Sequence, residues 1–146
     1  MVSLMPAETY EILLAEDSPE DAELVKMALK QHRVPCTLHV VRDGGKAVEL
    51  INSIDADPKA PVLDLLLLDM HLPRLNGEQV LKHLRATGRN AQTPVIVMTG
   101  LRSPDSEESA NRHAAMQVFQ KPSTLDEYMH LGSIVSNLLR DRRRHA

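Results

Sequence analysis

The fold is read from Val62-Leu63-Asp64-Leu65-Leu66-Leu67-Leu68-Asp69-Met70-His71-Leu72-Pro73-Arg74-Leu75-Asn76-Gly77. The apolar run from Leu65 to Leu68, resumed at Met70, fits a strand buried on both faces, expected over residues 62–69. Asp69 stands where that run ends, and Pro73 with Asn76-Gly77 then breaks the chain into a turn. Open α/β sheets place their chemistry at the carboxyl ends of central parallel strands. The rest of the chain is therefore read by asking what converges on Asp69.

Upstream, residues 10–15 read as a short buried strand that runs into Glu16-Asp17. Ser18-Pro19-Glu20-Asp21 is a helix start, with Ser18 as N-cap and Pro19 at the first helical position. That helix is expected to reach about residue 32, with Ala22, Val25, Ala28 and Leu29 inward. A second strand at 36–41 and a turn through Arg42-Asp43-Gly44-Gly45 lead to a helix over 45–53, with Ala47, Val48, Ile51 and Ile54 inward. Downstream, Asn76-Gly77 opens a helix to about residue 86 carrying Val80, Leu81 and Leu84 inward. A strand at 94–98 ends in Thr99-Gly100, and Ser103-Pro104 starts a short polar helix (105–113), expected to be the least firmly packed. A fifth strand at 116–120 ends in Lys121-Pro122, and Thr124 with Glu127 makes a capping box for a last helix over 125–142. Residues 1–9 are a lead-in and 10–146 one domain with a basic tail (Arg140, Arg142, Arg143, Arg144). Five alternations of strand and helix predict a doubly wound α/β fold: a five-stranded parallel sheet in the order 2-1-3-4-5, with five helices.

The totals narrow the function. A chain of 146 residues with 42% apolar and 25% charged residues suits one globular domain. The net charge of -3 offers no general attraction to DNA or anionic lipid, and three aromatic residues give little to stack on bases. No run is long enough to span a membrane, and the N-terminus lacks a secretory signal pattern. The single cysteine, Cys36, fits a reducing cytoplasm and reads as structural filler in a strand. About 25 residues follow Lys121, so no DNA-binding output domain is expected and output is expected to be protein–protein contact.

The predicted topology brings Glu16, Asp17 and Asp69 to the crevice where the strand order reverses. Clustered carboxylates stay ionised together when a cation sits among them, and oxygen-only ligands favour Mg²⁺ or Mn²⁺ over zinc. Thr99 and Lys121 end the fourth and fifth strands and face the same crevice. A carboxylate nucleophile beside an ammonium, a hydroxyl and a divalent cation is suited to receiving a phosphoryl group. Each residue alone has a plainer reading: a cap, a turn former or a surface lysine. Their coincidence at the strand ends outweighs those readings.

The chain resembles the receiver domain of two-component response regulators, on I-L-L-A-E-D-S-P at 12–19, L-L-L-L-D-M-H-L-P-R-L-N-G at 65–77, V-I-V-M-T-G at 95–100 and F-Q-K-P at 119–122. The resemblance implies that Asp69 accepts a phosphoryl group from a phosphohistidine on a sensor histidine kinase. It implies that Glu16, Asp17, Asp69 and the backbone carbonyl of His71 hold the metal. It also implies that Thr99 and Lys121 contact the phosphoryl group, and that the Lys121–Pro122 bond is cis. More narrowly, residues 16–30 and 41–48 and the long last helix resemble single-domain regulators that partner bacteriophytochromes. That likeness implies a red-light kinase and a homodimer through the face of the fourth helix, fifth strand and fifth helix.

One position departs from the family. Receivers usually carry an aromatic residue three places before the lysine, and here it is Val118. Phe119 is one place later, so strand alternation sends it to the other face. Signal transmission is then expected through the fourth-helix loop or through dimerisation, with Val118 marking an interface. His71 is expected to be solvent-exposed, the alternative being a role in acyl-phosphate lifetime. A phosphohydrolase resembling the haloacid dehalogenases would want Asp where His71 stands, and a flavin site would not begin with the acidic E-D-S-P-E-D. The remaining alternative is a receiver-like binding module that works without phosphorylation.

Overall fold

A computed structural model describes residues 9–86, 88–100, 103–115 and 117–144. Among these, β1 (Tyr10–Ala15), α1 (Pro19–Gln31), β2 (Cys36–Val41), α2 (Gly44–Ala56) and β3 (Leu65–Asp69) are followed by α3 (Gly77–Ala86), β4 (Val95–Thr99), α4 (Pro104–Arg112), β5 (Gln117–Gln120) and α5 (Leu125–Arg144). The strands are parallel and ordered β2-β1-β3-β4-β5, as the alternation of elements requires. Most of the expected lead-in (1–8), residues 101–102 of the loop before α4, Met116, and the side chains of Arg143 and Arg144 lie outside the described residues.

Period-two alternation divides the core into two layers. Ile12, Leu14, Leu65, Leu67, Ile96, Met98 and Phe119 face α1 and α5, meeting Val25, Ala28, Leu29, Tyr128, Leu131 and Val135. Leu13, Leu66, Leu68, Val95, Val97 and Val118 face the other helices, meeting Ala47, Ile51, Val80, Leu81, Leu84 and Ala110. The expectation that Val118 and Phe119 point to opposite faces holds. Val118 is buried, only 8% exposed, in the second layer, so the expectation that it marks an interface gives way to a core position.

Local chemistry sets the helix starts. Ser18 Oγ accepts the Asp21 N–H at 3.2 Å, and Thr124 Oγ1 accepts the Glu127 N–H at 3.3 Å. Asn76 and Gln79 cap one another reciprocally, each side-chain oxygen accepting the other's N–H at 2.9 Å. Helix α2 starts at Gly44 and ends at Ala56, longer than expected. Asp43, read as a turn residue, caps it by accepting the Lys46 N–H at 2.7 Å. Strand β3 is shorter than expected. Val62 is exposed, the Leu63 N–H donates to Asn90 Oδ1 at 2.8 Å, and Asp64 Oδ2 accepts the Glu11 N–H at 2.7 Å. The Asn90 side chain thus takes the Leu63 N–H away from the ladder, while the Asp64 N–H still donates to Glu11 O at 2.7 Å.

The turn after β3 rests on α2. The Gly44 N–H donates to Pro73 O at 3.2 Å, and a Cβ on Gly44 would stand 1.9 Å from Leu75 O, so only glycine allows this approach. Helix α4 is lightly held, as its polar sequence implies. Its buried Ser109 Oγ has no hydrogen-bond partner among the described residues, and Arg112 ties its end to Glu78 of α3.

Candidate functional site

The parallel register aligns the carboxyl ends of β1, β3, β4 and β5, and the crevice forms over β1 and β3. Glu16 follows β1. Its N–H donates to Val41 O at 3.0 Å, its side chain is buried, and Oε2 accepts the Ser18 N–H at 3.2 Å. Asp69 closes β3, is buried, and accepts the His71 N–H on Oδ1 at 2.9 Å. Asp17 is exposed at the rim. Thr99 closes β4 and is fully buried, and its carbonyl accepts the Lys121 N–H at 2.8 Å. The sheet thus fixes each backbone from which a functional side chain departs.

Lys121 draws the cluster together. Its ammonium lies 2.5 Å from Glu16 Oε1, 3.2 Å from Asp69 Oδ2 and 3.2 Å from Asp21 Oδ2, with the side chain only 14% exposed. The contact with Glu16 is an ion pair off the direction of a hydrogen bond, so Oε1 is buried without a hydrogen-bond partner among the described residues. Glu16, Asp17 and Asp69 each offer a carboxylate oxygen, all within 4.8 Å of one another. An all-oxygen anionic donor set holding an orphaned buried oxygen fits a hard divalent cation.

The electrostatics say the same. Burial, then the neighbouring Asp69 carboxylate, push Glu16 up to about 7. Burial also acts to raise Asp69, but the Glu16 contact, the His71 N–H and the Lys121 charge outweigh it and hold Asp69 below the usual carboxylate range. Burial acts to lower Lys121, and its contacts with Glu16 and Asp69 raise it further, so it stays cationic. Asp69 is therefore held ionised, while the Glu16 carboxyl beside it keeps a proton up to about neutral pH.

The structure brings Glu16, Asp17, Asp69 and Lys121 together and seats Thr99 at the adjoining strand end. The His71 side chain is exposed, as expected. The Lys121–Pro122 bond is not cis, correcting the expectation; X-Pro bonds lean to trans by about 0.5–1 kcal/mol, and a low cost of cis is no reason for it. Cys36 is half-buried, and burial followed by the Glu11 charge pushes its thiol up, which suits filler better than a nucleophile. Sequence reasoning missed Asp21 as a site residue. It reads in the sequence only as part of the helix start, and the Ser18 cap takes its N–H, yet its carboxylate turns into the crevice and meets Lys121. The available signal was its place in the first turn of the helix that starts directly after Glu16 and Asp17.

Comparison with known proteins places this geometry. The profile of the response regulator receiver domain matches residues 12–131. The chain is 33% identical over 94 residues to the response regulator Rcp1 of Synechocystis sp., covering 64% of this chain and 64% of Rcp1. It therefore spans just under two thirds of that relative's length. The structure of the Mn²⁺-bound form of Rcp1 superposes with a TM-score of 0.78 at 28% identity, covering 89% of this chain and 94% of the other. The bacteriophytochrome response regulator RtBRR superposes with a TM-score of 0.73 at 25% identity, covering 90% and 78%. Among the described residues, no helix is long and apolar enough to cross a membrane.

Proposed function

Because the chain belongs to the response regulator receiver family, we propose that it is a phosphorylation switch whose acceptor is Asp69. The observation that carries this is the meeting of the Lys121 ammonium with Asp69 and Glu16 beside the carboxylate trio. The donor is a phosphohistidine on a sensor histidine kinase. An Asp69 carboxylate oxygen attacks phosphorus, the P–O bond of an acyl phosphate forms as the P–N bond breaks, and the imidazole leaves with the bonding pair. Lys121 pairs with one phosphoryl oxygen and the Thr99 hydroxyl donates to another. A divalent cation, Mg²⁺ or Mn²⁺, held by Glu16, Asp17, Asp69 and the His71 carbonyl, supplies further charge neutralisation when bound.

Residues 10–146 act as one receiver unit in the cytoplasm, with protein–protein contact rather than DNA binding as output. The kinase is a bacteriophytochrome; likeness to the bacteriophytochrome response regulator RtBRR supports this. The output includes a homodimer through the α4-β5-α5 face. Supporting it, β5 is an edge strand, and Ile134 and Leu138 of α5 stay half-buried along a groove of about 990 Å³.

Intact-mass measurement after incubation with acetyl phosphate and Mg²⁺ tests the switch. One added phosphoryl group is expected in the parent, and none in Asp69→Asn or without Mg²⁺. No adduct, together with no beryllofluoride binding, would establish the phosphorylation-independent binding module instead.

A further inference from the structure

The contact between Lys121 and Asp21 has a second half. The other oxygen of Asp21, Oδ1, faces the hydroxyl of Tyr128 on α5 at 3.5 Å. Tyr128 is 2% exposed, and Phe119 of β5 packs edge-on against its ring at 5.9 Å between centroids. Asp21 is thus shared between the lysine of the site and the first turns of α5. The hydroxyl contact is long, well beyond the usual O–H···O length of about 2.7–2.8 Å, so it has room to shorten. The residue where the family keeps its usual aromatic is Val118, buried in the opposite layer.

We propose that Asp21 and Tyr128 carry the phosphorylation state of Asp69 to α5: Lys121 leaves Asp21 for the phosphoryl group, and Tyr128 takes up the carboxylate that is released. This rests on the phosphoacceptor reading above. While Lys121 holds Oδ2, the charge of Asp21 is compensated. Once the ammonium turns to the phosphoryl oxygens, the Tyr128 hydroxyl is the donor left beside Asp21, and a charged acceptor shortens and strengthens such a bond. The start of α5 is then drawn onto α1, so its amides become better protected. Asp21 and Tyr128 are positioning residues; neither touches the reacting atoms.

The experiment measures amide hydrogen exchange of residues 125–131 in the full chain, with and without acetyl phosphate and Mg²⁺, after intact mass has given the phosphorylated fraction. In the parent, phosphorylation is expected to slow exchange there by at least about threefold. In Tyr128→Phe the phosphorylated fraction is expected to equal the parent's, while the slowing falls to less than half. Asp21→Asn and the double variant are expected to show the same small response as Tyr128→Phe, because the two residues act through one contact. A full response in Tyr128→Phe overturns the proposal, as does a phosphorylated parent with no change at α5. A parent that takes no phosphoryl group fails at the mass measurement and removes the functional reading together with this one.

Discussion

Glu16 shows how one residue ties metal binding to pH. Its carboxyl is buried and pushed up to about 7, so metal-free protein holds it largely protonated at pH 6 and largely ionised at pH 8. Its folded-state value lies above the unfolded one. The stability it contributes is therefore full below the unfolded value and lost as pH rises through about 7. A cation must displace that proton, so apparent Mg²⁺ affinity is expected to rise about tenfold from pH 6 to pH 8 and to level off above. Titration calorimetry at several pH values measures it. Glu16→Gln should bind Mg²⁺ weakly and with a flat profile; an unchanged slope in that variant would assign the proton elsewhere. Asp69, held low by its neighbours, stays ionised across this window and adds no slope. The charge at Lys121 is likewise constant, which suits the pairing with phosphoryl oxygens proposed for it.

At the scale of elements, the packing of α5 on α1 turns on Gly132. A Cβ there would stand 2.2 Å from the Ala28 carbonyl oxygen and 2.5 Å from His32 Cδ2, so the helices meet backbone to backbone. Helix propensity alone makes Gly132→Ala stabilising by about 1 kcal/mol. Overpacking against a rigid carbonyl costs about 1–3 kcal/mol and acts the other way. The structure decides for the second: Gly132→Ala is expected to lower the urea midpoint at unchanged m-value, and a raised midpoint would show that α5 shifts freely. The same element scale shows what was legible in the sequence. Glu16, Asp69, Thr99 and Lys121 were legible because each ends a strand whose apolar run is plain, and parallel topology alone brings strand ends together. The true start of β3 was not, because Asn90 takes the Leu63 N–H through a side-chain hydrogen bond that no local pattern announces. Asp21 was hidden for another reason. A helix cap fully accounts for an acidic residue in the first turn, so nothing local called for a second role.

At the scale of the molecule, the site and the proposed output face lie at different ends of the sheet. Asp69 sits over the carboxyl ends of the strands. The groove beside α5 is lined by Pro94 and Gln117 at the amino ends of β4 and β5, and by Ile134, Leu138 and Arg142. Helix α5 runs Leu125–Arg144, about 30 Å at 1.5 Å per residue, whereas β5 has four residues, about 13 Å. Its apolar stripe thus continues past the sheet edge that it covers, and Leu138 is only partly buried there. A second copy on this face would bury that stripe and cover the free edge of β5. The parent is expected to sediment as a dimer at micromolar concentration, and Leu138→Glu as a monomer, because a carboxylate at the seam has no partner and would be desolvated. Phosphorylation yield should be equal in both, since Leu138 is far from Asp69 in the fold. A parent that stays monomeric with and without acetyl phosphate and Mg²⁺, or a Leu138→Glu variant that stays dimeric, would remove this face from the output.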